Sequence, residues 1–143
     1  MPANVNPIYT VTPDVSKDNS TGMGALITAA AADYTGASVN YVLVHTSGTN
    51  GSYVRRLRFK AGGTNVVAVM RVFINNGSVN TTATNNEFYD EISLPATTAS
   101  TTAATATIDL PMDVQLRNGQ RIYVGLGAAV AAGWSCVAIA GQY

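Results

Sequence analysis

Few side chains in this 143-residue sequence could do chemistry, and they are widely separated. There is one histidine, His45, and one cysteine, Cys136. Nucleophilic catalysis needs a nucleophile, a base and a group that orients the base. His45 sits in Tyr-Val-Leu-Val-His, a strand pattern in which a hydrogen-bonded structural histidine is expected. Cys136 is surrounded by Ala, Val and Ile, where a free thiol behaves as a small buried hydrophobe. A zinc site would have to draw three or four ligands from one His, one Cys and scattered carboxylates, and none is expected. Gly125 and Gly127 lack the third glycine and the following helix of a phosphate-binding loop. The residues make no case for an enzyme or for a cofactor.

Two charge clusters remain. Glu87, Asp90 and Glu91 bring three of the eight carboxylates together. Hard cations such as calcium want several oxygens, but the Asp-x-Asp-Gly loop spacing is missing. Arg55, Arg56, Arg58 and Lys60 hold half of the eight basic residues. For nucleic acid only Tyr53 and Phe59 offer stacking surfaces, and no binding motif surrounds them. The expectation is a charged outer strand face, with Arg56, Arg58 and Lys60 pairing with Glu87 and Glu91 or docking on an acidic partner.

Eight basic and eight acidic residues cancel, and 11% of positions are charged against about 25% in ordinary domains. Such a balance does not advertise nucleic acid or an anionic membrane as a partner. With 47% hydrophobic residues, much of the surface must be Thr, Ser, Asn, Ala and Gly, which suits permanent packing against other subunits. One cysteine excludes an intrachain disulfide. The first residues lack the basic flank and apolar run of a secretory signal, and no 18-residue apolar window exists.

The elements that must position these groups are strands. The stretch 52–74 reads as a hairpin. Leu57 and Phe59 alternate with Arg56, Arg58 and Lys60, and Val66 to Ile74 is apolar at eight of nine positions, interrupted by Arg71. Other strand candidates are 23–30, 39–46, 87–94, 104–110 with a continuation to 116, 121–126 and 134–140. Asn50-Gly51, Asn76-Gly77 and Asn118-Gly119 punctuate them. Eight strands around one long Ala/Thr-rich connection fit an all-β, eight-stranded jelly-roll sandwich (22–143) preceded by an extended N-terminal arm (1–21). Strands one, eight, three and six would form one sheet, and two, seven, four and five the other. An immunoglobulin-like sandwich is the main competitor, without its Cys…Trp…Cys spacing. Expected inward residues are Leu57, Phe59, Phe88, Ile92, Leu94, Ile108, Leu110, Ile122, Val124 and Leu126. In the last strand either Trp134, Cys136 and Ala138 or Val137 and Ile139 face inward.

Three phrases carry a resemblance: Gly51 to Lys60, Thr64 to Gly77 and Gly127 to Trp134, together with Glu-Ile-Ser-Leu-Pro at 91–95. Over residues 40–143 the chain resembles small structural proteins of tailed bacteriophages, of the capsid decoration (cement) or fibre-associated kind. The resemblance implies a non-enzymatic virion protein that acts as a homotrimer and contacts the major capsid protein or another virion protein. The alternative is a receptor- or glycan-binding head of a phage fibre. That role wants exposed aromatics beside carboxylates, and it usually follows a stalk for which a chain starting at Met1 leaves no room.

Three expectations follow. A strand apolar on both faces needs cover from a second sheet and from a neighbouring subunit. Arg71, interrupting it, must meet a carboxylate or carbonyls. The arm has three prolines that keep it out of a sheet centre; its middle, 7–12, reads either as one short edge strand or as a partner-seeking arm. Ile8, Tyr9 and Val11 are too apolar to trail in water, so it should contact the shell or a neighbour.

Overall fold

A computed structural model describes residues 9–24 and 26–143. Period-2 alternation and β-branched runs become eight strands: β1 (Thr12–Asp14), β2 (Val42–Thr46), β3 (Ser52–Ala61), β4 (Ala68–Asn75), β5 (Asn86–Leu94), β6 (Thr107–Leu116), β7 (Arg121–Leu126) and β8 (Trp134–Gln142). They form two four-stranded antiparallel sheets, ordered β1-β8-β3-β6 and β2-β7-β4-β5. The sheets close on one core. Leu57, Phe59, Met112, Trp134 and Cys136 come from the first, and Met70, Val72, Leu94, Ile122 and Leu126 from the second. Trp134, Cys136 and Ala138 are thus the inward set of β8. The turn glycines Gly51, Gly77 and Gly119 all have positive φ, the backbone state for which Asn-Gly is chosen.

Several expectations are corrected. Residues 23–30 are not a strand: the described part of that segment makes isolated bridges only, Ile27 to Trp134 and Ala30 to Leu126. The first strand lies at Thr12–Asp14 instead, at the edge of its sheet beside β8, the position Pro13 tolerates. The fourth strand starts at Ala68, leaving Val66 and Val67 exposed. Phe88 is 38% exposed rather than inward. The register of β4 against β5 slips between Val72 and Phe73, which pair with Asp90 and Phe88. This bulge turns Phe88 to the outer face beside Phe73. A slip in β3 between Val54 and Arg56 lets Val54 and Leu57 both point inward.

The outer face of β4 is covered by the chain itself. Ala31, Tyr41, Phe73 and Tyr123 form a second apolar cluster there. Tyr41 packs edge-on against Phe73 with centroids 4.7 Å apart, and the Ala31 N–H donates to Leu126 O at 2.6 Å. The two-faced strand therefore does not require a neighbouring subunit as cover. Residues 31–41, which join the expected strands 23–30 and 39–46, perform that task.

Candidate functional site

The residues with catalytic potential are locked into the core. His45 is fully buried; its Nε2 lies 2.8 Å from Ser52 Oγ, and its Nδ1 has no partner. Burial pushes its pKa below the ordinary value, and the Asp14 charge opposes that shift only in part. Cys136 is buried, and desolvation raises its thiol pKa far above the usual range, which suppresses the thiolate. Among the described residues no three His, Cys, Asp or Glu side chains gather to hold a metal. The same residues include no helix long and apolar enough to cross a membrane.

The basic strip on β3 finds its partner on the adjacent strand. Arg58 donates to Asp109 through Nε at 2.8 Å and Nη2 at 2.9 Å, and Arg56 Nε lies 3.7 Å from the same carboxylate. The Arg58 hydrogen bonds hold the Asp109 carboxyl below its ordinary range. Lys60 donates to the Thr105 carbonyl. The expected pairing with Glu87 and Glu91 is wrong. Those residues sit on β5 in the other sheet, whereas the neighbours of β3 are β6 and β8. Cross-strand register, not sequence clustering, selects the partner.

Glu91 serves Arg71 instead, its register partner on β4. Arg71 Nε lies 3.6 Å from Glu91 Oε2, Nη1 donates to the Ala31 carbonyl at 3.3 Å, and the guanidinium sits 4.0 Å from the Tyr34 ring centroid. Arg71 therefore fastens the covering segment to the outer face of its sheet. Beside it runs an open apolar groove of about 660 Å³, lined by Val67, Val69, Leu94, Pro95, Gly127 and Ala128.

That groove belongs to one end of the sandwich. There the turn 62–67, the connection 95–106, the loop 127–133 and residues 26–31 converge. Asn65 is the knot: it exchanges backbone hydrogen bonds with Thr97, and its side chain bonds Ala132 N, Gly133 N and Gly133 O. Val130 N donates to Thr28 O, and Gly62 N to Gly133 O. None of these four segments contains a charged residue, while Leu26, Val66 and Val67 are exposed. This uncharged end was not recognised from the sequence, although its four segments could each have been read as charge-free.

The N-terminal segment ends elsewhere. Ile8 lies outside the described residues, and Tyr9 and Val11 are 75% and 81% exposed. Tyr9 and Thr10 border a cleft of about 320 Å³ with Tyr53, Gln115 and Tyr143. A second cleft, about 570 Å³, shares Gln115 and Tyr143 and adds Asn50, Leu116 and Arg117. The tyrosines are brought together by the pairing of Tyr53 with Gln115 on β6 and Gly141 on β8, a juxtaposition no local pattern announces. No family model, curated protein or solved structure matches the chain.

Proposed function

We propose that this chain is a bacteriophage virion structural protein, a decoration protein that seats on the head and stabilises it, made in the bacterial host and resident in the virion. The observation that carries the reading is this end: four converging segments without one charged residue. They expose Leu26, Val66 and Val67 and border a largely apolar groove in which Arg71 is the one charged lining residue among those described. Interface cores are depleted in charge and tolerate small and apolar side chains. A free surface of that kind is a liability unless another protein covers it. The strand orders β1-β8-β3-β6 and β2-β7-β4-β5 support reading the sandwich as a jelly roll. In this reading the segment that leads into β1 carries the Tyr9 and Val11 side chains to a neighbour.

Homotrimerisation belongs to the proposal and rests on this end rather than on β4. Light scattering on the purified protein should give about three times the 14.8 kDa chain mass. The functional test is co-sedimentation with phage heads stripped of the protein. Wild type should pellet with them, and Val67→Asp, which places a charge at the groove, should not. Heads that fail to bind wild-type protein overturn the reading.

A further inference from the structure

The paired clefts at the opposite end of the sheet from the uncharged segments have different chemistry. Tyr53, Tyr143 and Tyr9 present ring surfaces, and Asn50, Gln115 and Arg117 present planar polar groups among them. Tyr53 is held by its hydroxyl, which donates to Asp113 Oδ1 at 2.6 Å. Asp113 adopts φ +46, within the bulged stretch of β6. Tyr143 is held by its backbone, with its N–H donating to Gly51 O at 3.1 Å and Asn50 Nδ2 reaching its carbonyl at 3.4 Å. Gly141 leaves the space beside Tyr53 open for Thr10: a Cβ there would stand 2.6 Å from Thr10 Cβ.

We infer that these clefts form a binding site for an oligosaccharide that carries acidic sugars. Sugar rings offer flat C–H faces that pack on aromatic rings, and vicinal hydroxyls that planar amides and guanidinium groups can bond in pairs. Two shallow clefts sharing Gln115 and Tyr143 suit successive sugar units better than a compact cofactor, which wants an enclosed pocket. Arg117 supplies the charge preference, being exposed and without an ion pair among the described residues. Aromatic grooves also take proline-rich peptides. The amide and guanidinium groups favour the saccharide, whose hydroxyls need such partners. The site stands apart from the uncharged end and rests on Tyr53, Gln115 and Tyr143 rather than on Tyr9, which the arm contact also uses. The decoration reading can therefore fail without it, and it can fail alone.

The test is NMR titration of the full chain with galacturonohexaose, cellohexaose, chitohexaose and decaproline, each to about 10 mM, a range that detects millimolar affinity. Galacturonohexaose should shift the Tyr53, Gln115 and Tyr143 signals, with the neutral sugars at least about tenfold weaker. Tyr143→Ala and the exposed Gln115→Ala should each weaken binding about tenfold, and Arg117→Gln should remove the preference for the acidic sugar. Amide spectra of each variant report its fold. Absence of shifts with every sugar, binding indifferent to both Tyr143→Ala and Gln115→Ala, or binding of decaproline alone would overturn the proposal.

Discussion

Asn65 grips the backbone of Gly133 twice. Its Oδ1 accepts from Gly133 N at 2.9 Å, and its Nδ2 donates to the Gly133 carbonyl at 3.0 Å. Oδ1 also takes the Ala132 N–H at 3.0 Å, so one buried amide closes the loop between β7 and β8 onto the β3–β4 turn. Asn65→Ala would leave the Ala132 and Gly133 N–H groups without partners, at about 1–3 kcal/mol for each that stays dry, while the Gly133 carbonyl keeps its bond from Gly62 N. We expect a loss of about 2–4 kcal/mol in urea unfolding. A change under about 0.5 kcal/mol would mean that water replaces the amide.

Arg71 ties the covering segment to its sheet through Ala31, Tyr34 and Glu91. Arg71→Met keeps the aliphatic stem but drops all three links. Stability should fall by about 1–3 kcal/mol. Glu91→Gln should cost less, because 45% of the Glu91 side chain is exposed and water screens its pairing. Hydrogen exchange should rise in residues 30–41 of the Met variant. Unchanged exchange there would refute the fastening role.

Acid should weaken the contact between β1 and its neighbours. His45 has a folded-state pKa below its ordinary 6.5, so its stabilising contribution is present above that value and is lost as pH falls below it. Asp14 follows at lower pH. Burial works against its ionisation, but hydrogen bonds from Ser16 and Gln142 outweigh burial and hold its pKa below 3.8. Its contribution is lost as pH falls from there. Melting curves should therefore drop in two stages on acidification. His45→Gln should remove the first stage, which sets in as pH falls below about 6.5, and an unaltered profile would exclude His45 as its source.

Much of the sandwich was legible because its strands carry strong local signals. Leu57 and Phe59 alternate with the basic residues, and Ile122, Val124 and Leu126 share one inward face. What escaped was set by residues far away in sequence. Phe88 points outward because a bulge against β4 shifts its parity. Arg58 meets Asp109, 51 positions along the chain, because register places them opposite each other. Residues 26–41 look strand-like in part, yet Ala31 and Tyr41 cover Phe73 and Ile27 makes only an isolated backbone bridge to Trp134. The tyrosine cleft is likewise a product of β3, β6 and β8 lying side by side.

The arm calls for a test finer than truncation. Removing residues 2–20 would delete β1, its pairing with β8 and the Asp14 hydrogen bond to Gln142, so lost assembly could simply reflect a damaged edge. Tyr9 and Val11 precede β1, and both side chains stand mainly in solvent. Tyr9→Ser with Val11→Ser should therefore leave the melting temperature close to wild type, as surface changes usually alter stability by less than about 0.5 kcal/mol. If these side chains fill pockets on a neighbouring subunit or the shell, each burial contributes on the order of 1–2 kcal/mol. The double variant should then bind stripped heads at least about tenfold more weakly. Head binding equal to wild type, at unchanged stability, would show that Tyr9 and Val11 do not contact the shell.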